Sequence, residues 1–238
     1  RIDYTDTSDG VLLLEKAATN LVTYSEDFSN AYWFKDNSSL ASGFVSPSGD
    51  TTAFKLIEDT NTSQHLIKQY SGITVSGGNY TFSAFVKKGE RKYVAIGSSH
   101  NSSQGVLAQF DLDTETLVYG GSLGSLYTYI NSNITAMSNG WYRIKCTFQS
   151  TSTFSQPCVS VSSIVYTSGS FQAAVNHSIG DGTSGIYIYG AQLEVGSPSS
   201  YIPTQGSAVT RVAETASGSG NSEVFNDSEG VLFANIAA

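Results

Sequence analysis

The acidic run Asp111-Leu112-Asp113-Thr114-Glu115 sets three carboxylates at alternating positions. On an extended strand, alternate residues share one face, and two carboxylates held that way can act as nucleophile and acid/base in glycoside hydrolysis. The same residues also have the composition of a turn, where Asp side chains bond the backbone two residues on and the outer members splay into water. The turn accounts for them without catalysis. His65, His100 and His177 fall in separate polar turns or strand ends and read as exposed, so no paired imidazole supports a serine nucleophile. The chain reads as a non-enzyme.

Sugar recognition is the second chemistry open to these residues. It needs flat apolar rings for the C–H face of a pyranose, and amides or carboxylates for its hydroxyls. Trp141, Tyr187, Tyr189 and Tyr93 are candidate platforms, with Gln192 and Asn176 as polar partners. Trp141 alternates with Tyr142 and Ile144 and shares a face with Arg143 and Lys145, which is consistent with an outward ring. Strand aromatics otherwise pack inward, and Trp33 reads as such a core anchor. Cys146 and Cys158 flank a turn at Ser150-Thr-Ser-Thr153. They read as small buried thiols or as a cross-strand disulfide, and their spacing with three scattered histidines does not suit zinc.

Regular strands must position these groups. Of the 238 residues 39% are hydrophobic and only 13% charged, against about 25% charged in a typical soluble domain. Ser, Thr, Asn and Gly fill the difference, a mixture that favours short strands and turns over helices. Tyr80, Phe82, Ala84 and Val86 alternate with Thr81, Ser83, Phe85 and Lys87; Val94 and Ile96 share a face, as do Val106, Ala108 and Phe110. Tyr142, Ile144, Cys146 and Phe148 repeat the pattern, and Ile186 to Leu193 closes the series. Period-2 alternation without a helical pattern predicts an all-β fold of two packed antiparallel sheets. The net charge of −8 disfavours nucleic acid and anionic membrane surfaces. No run approaches the ~18 apolar residues of a membrane span.

Several blocks, taken in order, resemble a β-sandwich module of bacteriophage fibre and head-spike appendages. They are Leu13-Leu-Glu15 with Thr19-Asn-Leu21, Tyr24-Ser-Glu-Asp-Phe-Ser-Asn-Ala-Tyr-Trp33, and Phe110-Asp-Leu-Asp-Thr-Glu115. Gly140-Trp-Tyr-Arg143, Tyr189-Gly-Ala-Gln-Leu-Glu194, Tyr201-Ile-Pro-Thr204 and Val209-Thr-Arg211 follow. Glu115 departs from the pattern, where the turn usually carries Gly. The resemblance implies a jelly-roll sandwich similar to carbohydrate-binding modules, with extra terminal strands. It divides the chain into an N-terminal extension (1–18), the sandwich (19–212), and a linker with the first strand of a further or partner domain (213–238). The start at Arg1 is read as that of a fragment. It further implies a virion location, a homotrimer among other virion proteins, weak adhesion to a cell-surface glycan, or a spacer role without ligand; a capsule depolymerase is the distant alternative. In such jelly rolls a structural calcium often ties the first strand to the last, which makes Glu26, Asp27 and Glu194 its candidate ligands here.

Overall fold

A computed structural model of the chain describes residues 2–3, 11–12, 14–101, 103–166 and 178–215. In chain order the strands are β1 (Ile2–Asp3), β2 (Val11–Leu12), β3 (Ala18–Asn20), β4 (Trp33–Asp36), β5 (Ser38–Phe44), β6 (Ala53–Glu58), β7 (His65–Gln69) and β8 (Ile73–Thr74). They continue as β9 (Gly78–Lys88), β10 (Tyr93–Asn101), β11 (Gln104–Asp111), β12 (Thr116–Leu123) and β13 (Tyr127–Ala136). The last are β14 (Trp141–Ser150), β15 (Phe154–Ser162), β16 (Gly185–Val195) and β17 (Val209–Arg211). Among the described residues the one helical element is a 3-10 turn at Ser138–Gly140, and no helix is long and apolar enough to cross a membrane.

Two compact units emerge, Thr19–Val209 and the pair of terminal segments Arg1–Ala18 with Thr210–Ala238. Within the terminal segments β1 pairs antiparallel with β2. Arg211 there forms an ion pair with Glu15 at 3.0 Å, whose amide donates to Glu214 Oε2. The second strand expected near the C-terminus, Val231 to Ile236, lies outside the described residues.

Thr19–Val209 is the antiparallel β-sandwich of jelly-roll type. One sheet runs β12-β11-β10-β15-β7-β4, with β8 attached to β15; the other runs β13-β14-β9-β16-β6-β5. The alternation read from sequence selects the inner faces. Tyr80, Phe82, Ala84 and Val86 of β9 meet Val94 and Ile96 of β10 and Val106, Ala108 and Phe110 of β11 in one core. Ile144, Cys146 and Phe148 of β14 and Ile186, Ile188 and Leu193 of β16 complete it. Trp33 is the anchor expected: it is buried, and its indole N–H donates to Tyr24 O at 2.8 Å.

The connection read as a turn at Ser150–Thr153 passes from one sheet to the other, and so does the one between β9 and β10. β9 and β10 belong to different sheets, as do β14 and β15. Cys146 therefore sits in the main core while Cys158 joins Ala95, Leu107 and Tyr166 on the far face of the opposite sheet. Both thiols are free and buried. β10 and β11 form by contrast a true hairpin that closes between Asn101 and Gln104, and the Asp111–Glu115 turn leads β11 into its other neighbour, β12.

Candidate functional site

The segment Asn20–Asp27 and the segment Gly190–Gln205 carry most of the resemblance, and they lie against each other. Asn20 is fully buried. Its amide nitrogen donates to Ala191 O (3.1 Å) and Ile202 O (2.8 Å), while its oxygen accepts from Val22 N and Leu193 N. A buried amide can make four such bonds, and here all four go to backbone. Ser25 and Thr204 exchange backbone and hydroxyl hydrogen bonds, and the Thr204 hydroxyl donates to Val22 O at 2.7 Å. Gly190 marks a register shift in β16. Its φ is +60°, and a Cβ there would come 2.7 Å from Phe85 Cδ2, so only glycine fits the bulge.

Three of the residues expected to meet a ligand, Trp141, Tyr189 and Gln192, are buried. Trp141 is 1% exposed and packs with Ala53, Phe85 and Tyr189 on the outer face of β14's sheet. Its face was read correctly, but that face is covered: Tyr201 lies edge-on against Phe85 at 5.4 Å. Gln192 is fully buried, donating to Glu194 Oε1 (2.7 Å) and accepting from Ile202 N (2.7 Å). Tyr189 is buried and gives its hydroxyl to Glu26 Oε1 at 2.7 Å. Tyr187 is half-buried, edge-on against Phe44 at 4.9 Å. Tyr93 is half-buried with its own neighbour Lys92 4.8 Å from its ring centre. Asn176 lies outside the described residues.

The three candidate calcium ligands are not brought together. Glu194 is buried and accepts from Ser199 N (3.0 Å), Ser199 Oγ (2.6 Å) and Gln192. Asp27 caps its own turn, accepting from the amides of Ser29 and Asn30. Glu26 faces the phenols of Tyr189 and Tyr201. Among the described residues no group of three or more His, Cys, Asp or Glu is placed to hold a metal ion. The tie between chain segments is made by hydrogen bonds.

The acidic run is a turn. Asp111 pairs with Lys92 at 2.8 Å, Asp113 with Lys88, and Glu115 accepts from the Tyr142 phenol at 3.1 Å. Glu115 has a φ of +57°, the left-handed geometry that explains a glycine there in similar chains. His65 is buried rather than exposed, with Nδ1 2.8 Å from Asn37 O and Nε2 3.2 Å from Ser178 O. It joins three chain segments. Gly120-Gly121-Ser122-Leu123-Gly124 has the spacing of a nucleophile elbow, yet it runs along β12 instead of turning from strand to helix. Ser122 Oγ there accepts from Tyr129 N.

Beside the clasp a cleft of about 520 Å³ opens. Glu26, Asp27, Pro203, Thr204 and Gln205 form one wall. Ser42, Gly43, Thr51, Thr52 and the ring of Phe54 form the other. The second wall exists because edge strand β5 shifts register between Ser42 and Phe44, with Gly43 at φ +89°. The loop that follows is organised by Asp50, whose Oδ1 accepts from the hydroxyls of Ser46 and Thr52, both at 2.6 Å. The Ser46 hydroxyl, with Thr52 behind it, holds the Asp50 carboxyl below its usual pKa.

The electrostatics of the cleft are those of an acceptor-rich surface. Burial, then the hydrogen bond to Glu26, pushes the Tyr189 phenol up to about 12, and burial raises that of Tyr201 as well. Both phenols therefore stay donors at neutral pH and fix Glu26 Oε1. Glu26 Oε2 takes no hydrogen bond from the described residues. Exposed Asp27 and the hydroxyls of Ser42, Thr51 and Thr52 add further acceptors and donors around the Phe54 ring.

No protein-family model matches the chain, and no curated protein matches it. Among solved structures it is similar to the Clostridium thermocellum N-terminal endo-1,4-beta-D-xylanase 10B, CBM22-1-GH10 modules, complexed with xylohexaose. The identity is 12% and the TM-score 0.42, over 80% of this chain and 30% of that one. This chain thus spans under a third of that structure, and the similarity assigns no role to any residue.

Proposed function

We propose that the chain is a non-enzymatic glycan-binding module that gives a bacteriophage appendage weak hold on a cell surface. The observation that carries the glycan reading is the cleft of about 520 Å³. Its carboxylates, hydroxyls and single aromatic ring match a neutral polyhydroxylated ligand better than a purely apolar one. Glu26 Oε2 and Asp27 accept sugar hydroxyls, and Phe54 with Pro203 meets a C–H face. The acidic wall and the net charge of −8 disfavour anionic sugars. A virion setting and three-fold assembly rest on the motif resemblance, and repetition in a trimer would turn a weak site into useful avidity.

A second reading, a spacer or trimerisation unit without ligand, is favoured by one observation. Asn20, Gly190, Gln192, Glu194 and Thr204, all from the resembling motifs, are buried in the clasp. Their chemistry holds the fold together.

A glycan array with wild type, Glu26→Gln and Asp27→Asn separates the two. A hydrogen bond to a charged group contributes about 1.5–3 kcal/mol, so each variant should bind the same neutral glycans roughly 10-fold more weakly. An EDTA-treated arm should bind like the untreated one. Absence of any glycan bound by the wild-type chain, or binding untouched by both substitutions, would leave the spacer reading.

A further inference from the structure

Two large rings stand in water at the edge of the other sheet. Phe34 on edge strand β4 is 44% exposed, and Tyr70, just after β7, is 61% exposed. Their centroids are 5.1 Å apart with planes tilted by 44°. Neither lines the cleft.

The pair is held in place from behind. Lys68 pairs directly with Phe34 across the strands, and its Nζ lies 5.7 Å from the Phe34 centroid and 5.6 Å from that of Tyr70. The same ammonium is 3.6 Å from Asp36 Oδ2, which also accepts from the Gln64 amide at 2.5 Å. Gln156 donates its amide to Tyr70 O and fixes the backbone of that turn. The rings are thus pre-organised, which lowers the ordering cost of binding.

The neighbours define the ligand. Lys68 is already matched by Asp36, so the patch offers no unpaired charge to a polyanion or polycation. Two rings are far too small a footing for a protein partner, which needs roughly 800 Å² a side. An aromatic surface flanked by an amide and an ion pair suits a molecule with one apolar and one hydroxylated side. We propose that Phe34 and Tyr70 form a stacking subsite for a neutral pyranosyl chain, with Asp36, Gln64 and Lys68 addressing its hydroxyls. This takes the sugar as ligand from the glycan-binding reading but uses a different face, so one module carries two footholds.

Affinity electrophoresis tests it, with hydroxyethylcellulose, galactomannan or dextran in the gel and polygalacturonate as the charged counterpart. The variants are Phe34→Ala, Tyr70→Ala, Tyr70→Phe and the cleft variant Asp27→Asn. At least one neutral polymer should retard the wild type. Phe34→Ala and Tyr70→Ala should each weaken that retardation at least fivefold, Tyr70→Phe should keep it, and polygalacturonate should have no effect. Retardation unchanged in both alanine variants but lost in Asp27→Asn overturns the subsite and leaves the cleft standing. Loss in the alanine variants with Asp27→Asn unaffected upholds the subsite and removes the cleft as the binding face. Stronger retardation by polygalacturonate, or none by any neutral polymer, overturns the subsite whatever the array shows for the cleft.

Discussion

Asn20 shows how much one side chain can be asked to do. Its side chain alone satisfies the carbonyls of Ala191 and Ile202 and accepts from the amides of Val22 and Leu193. Asn20→Ala removes all four bonds inside a site closed to water. A buried polar group left unpaired costs about 1–3 kcal/mol, so the variant should lose about 3 kcal/mol or more. In urea unfolding the midpoint should fall with little change in slope; a midpoint within error of wild type would show that water or local relaxation replaces the amide. Motif residues of this kind are legible in sequence as a pattern but not as a purpose. Thr19-Asn-Leu21 and Tyr189-Gly-Ala-Gln-Leu-Glu194 stand in the sequence as separate motifs, and that they bond to each other is hidden by the roughly 170 positions between them. Gln192 and Glu194 have side chains equally suited to a sugar or a cation, and only the nearness of Ser199 and Ile202 decides that they are spent internally.

At the level of elements, alternation named the inner faces of β9, β10, β11, β14 and β16, because a half-buried strand must alternate. It did not reveal β4 and β5. Ser38–Phe44 is a polar edge strand with a glycine bulge, and such strands are built with little hydrophobic signal. The cleft and the ring pair at Phe34 both depend on those two strands, so neither was visible in advance. Nor could alternation tell whether an outer face meets water or a returning segment, which is why Trp141 was read as exposed. The loop before β16 offers a test of how such segments are fastened. Asp181 accepts from Ser184 N (2.7 Å), Ser184 Oγ (2.5 Å) and Thr183 N (2.8 Å), and Arg91 joins it to buried Glu58. The Ser184 hydroxyl and the amides of Ser184 and Thr183 hold the Asp181 carboxyl well below the usual carboxylate range. A depressed folded-state pKa contributes stability that is present above the unfolded value of about 3.9 and lost as pH falls through the folded one. Melting temperature should therefore fall as pH drops below about 4, and Asp181→Asn should flatten that acid limb while lowering the plateau near neutrality. An acid limb of unchanged steepness would place the sensitivity elsewhere.

Across the whole sandwich, the two cysteines are independent witnesses to how Thr19–Val209 opens. Cys146 is in the core between the sheets, and Cys158 is under Tyr166 on the outer face of the other sheet. Burial raises both thiols, Cys158 to about 12, so neither is a thiolate at neutral pH. A thiol reagent must wait for exposure. If the two sheets share one cooperative transition, Cys146→Ser and Cys158→Ser variants should each label their remaining thiol with the same dependence on urea, tracking global unfolding. Native-state labelling should be slower than that of the unfolded chain by a factor set by the full unfolding free energy. The alternative has a physical basis: Cys158 belongs to a small cluster with Ala95, Leu107 and Tyr166, separate from the main core that holds Cys146. Should Cys158 label faster than Cys146 and with a weaker urea dependence, the outer face of that sheet opens as its own unit. The clasp of Asn20 with residues 191–202 would then secure the core but not the layer beyond it.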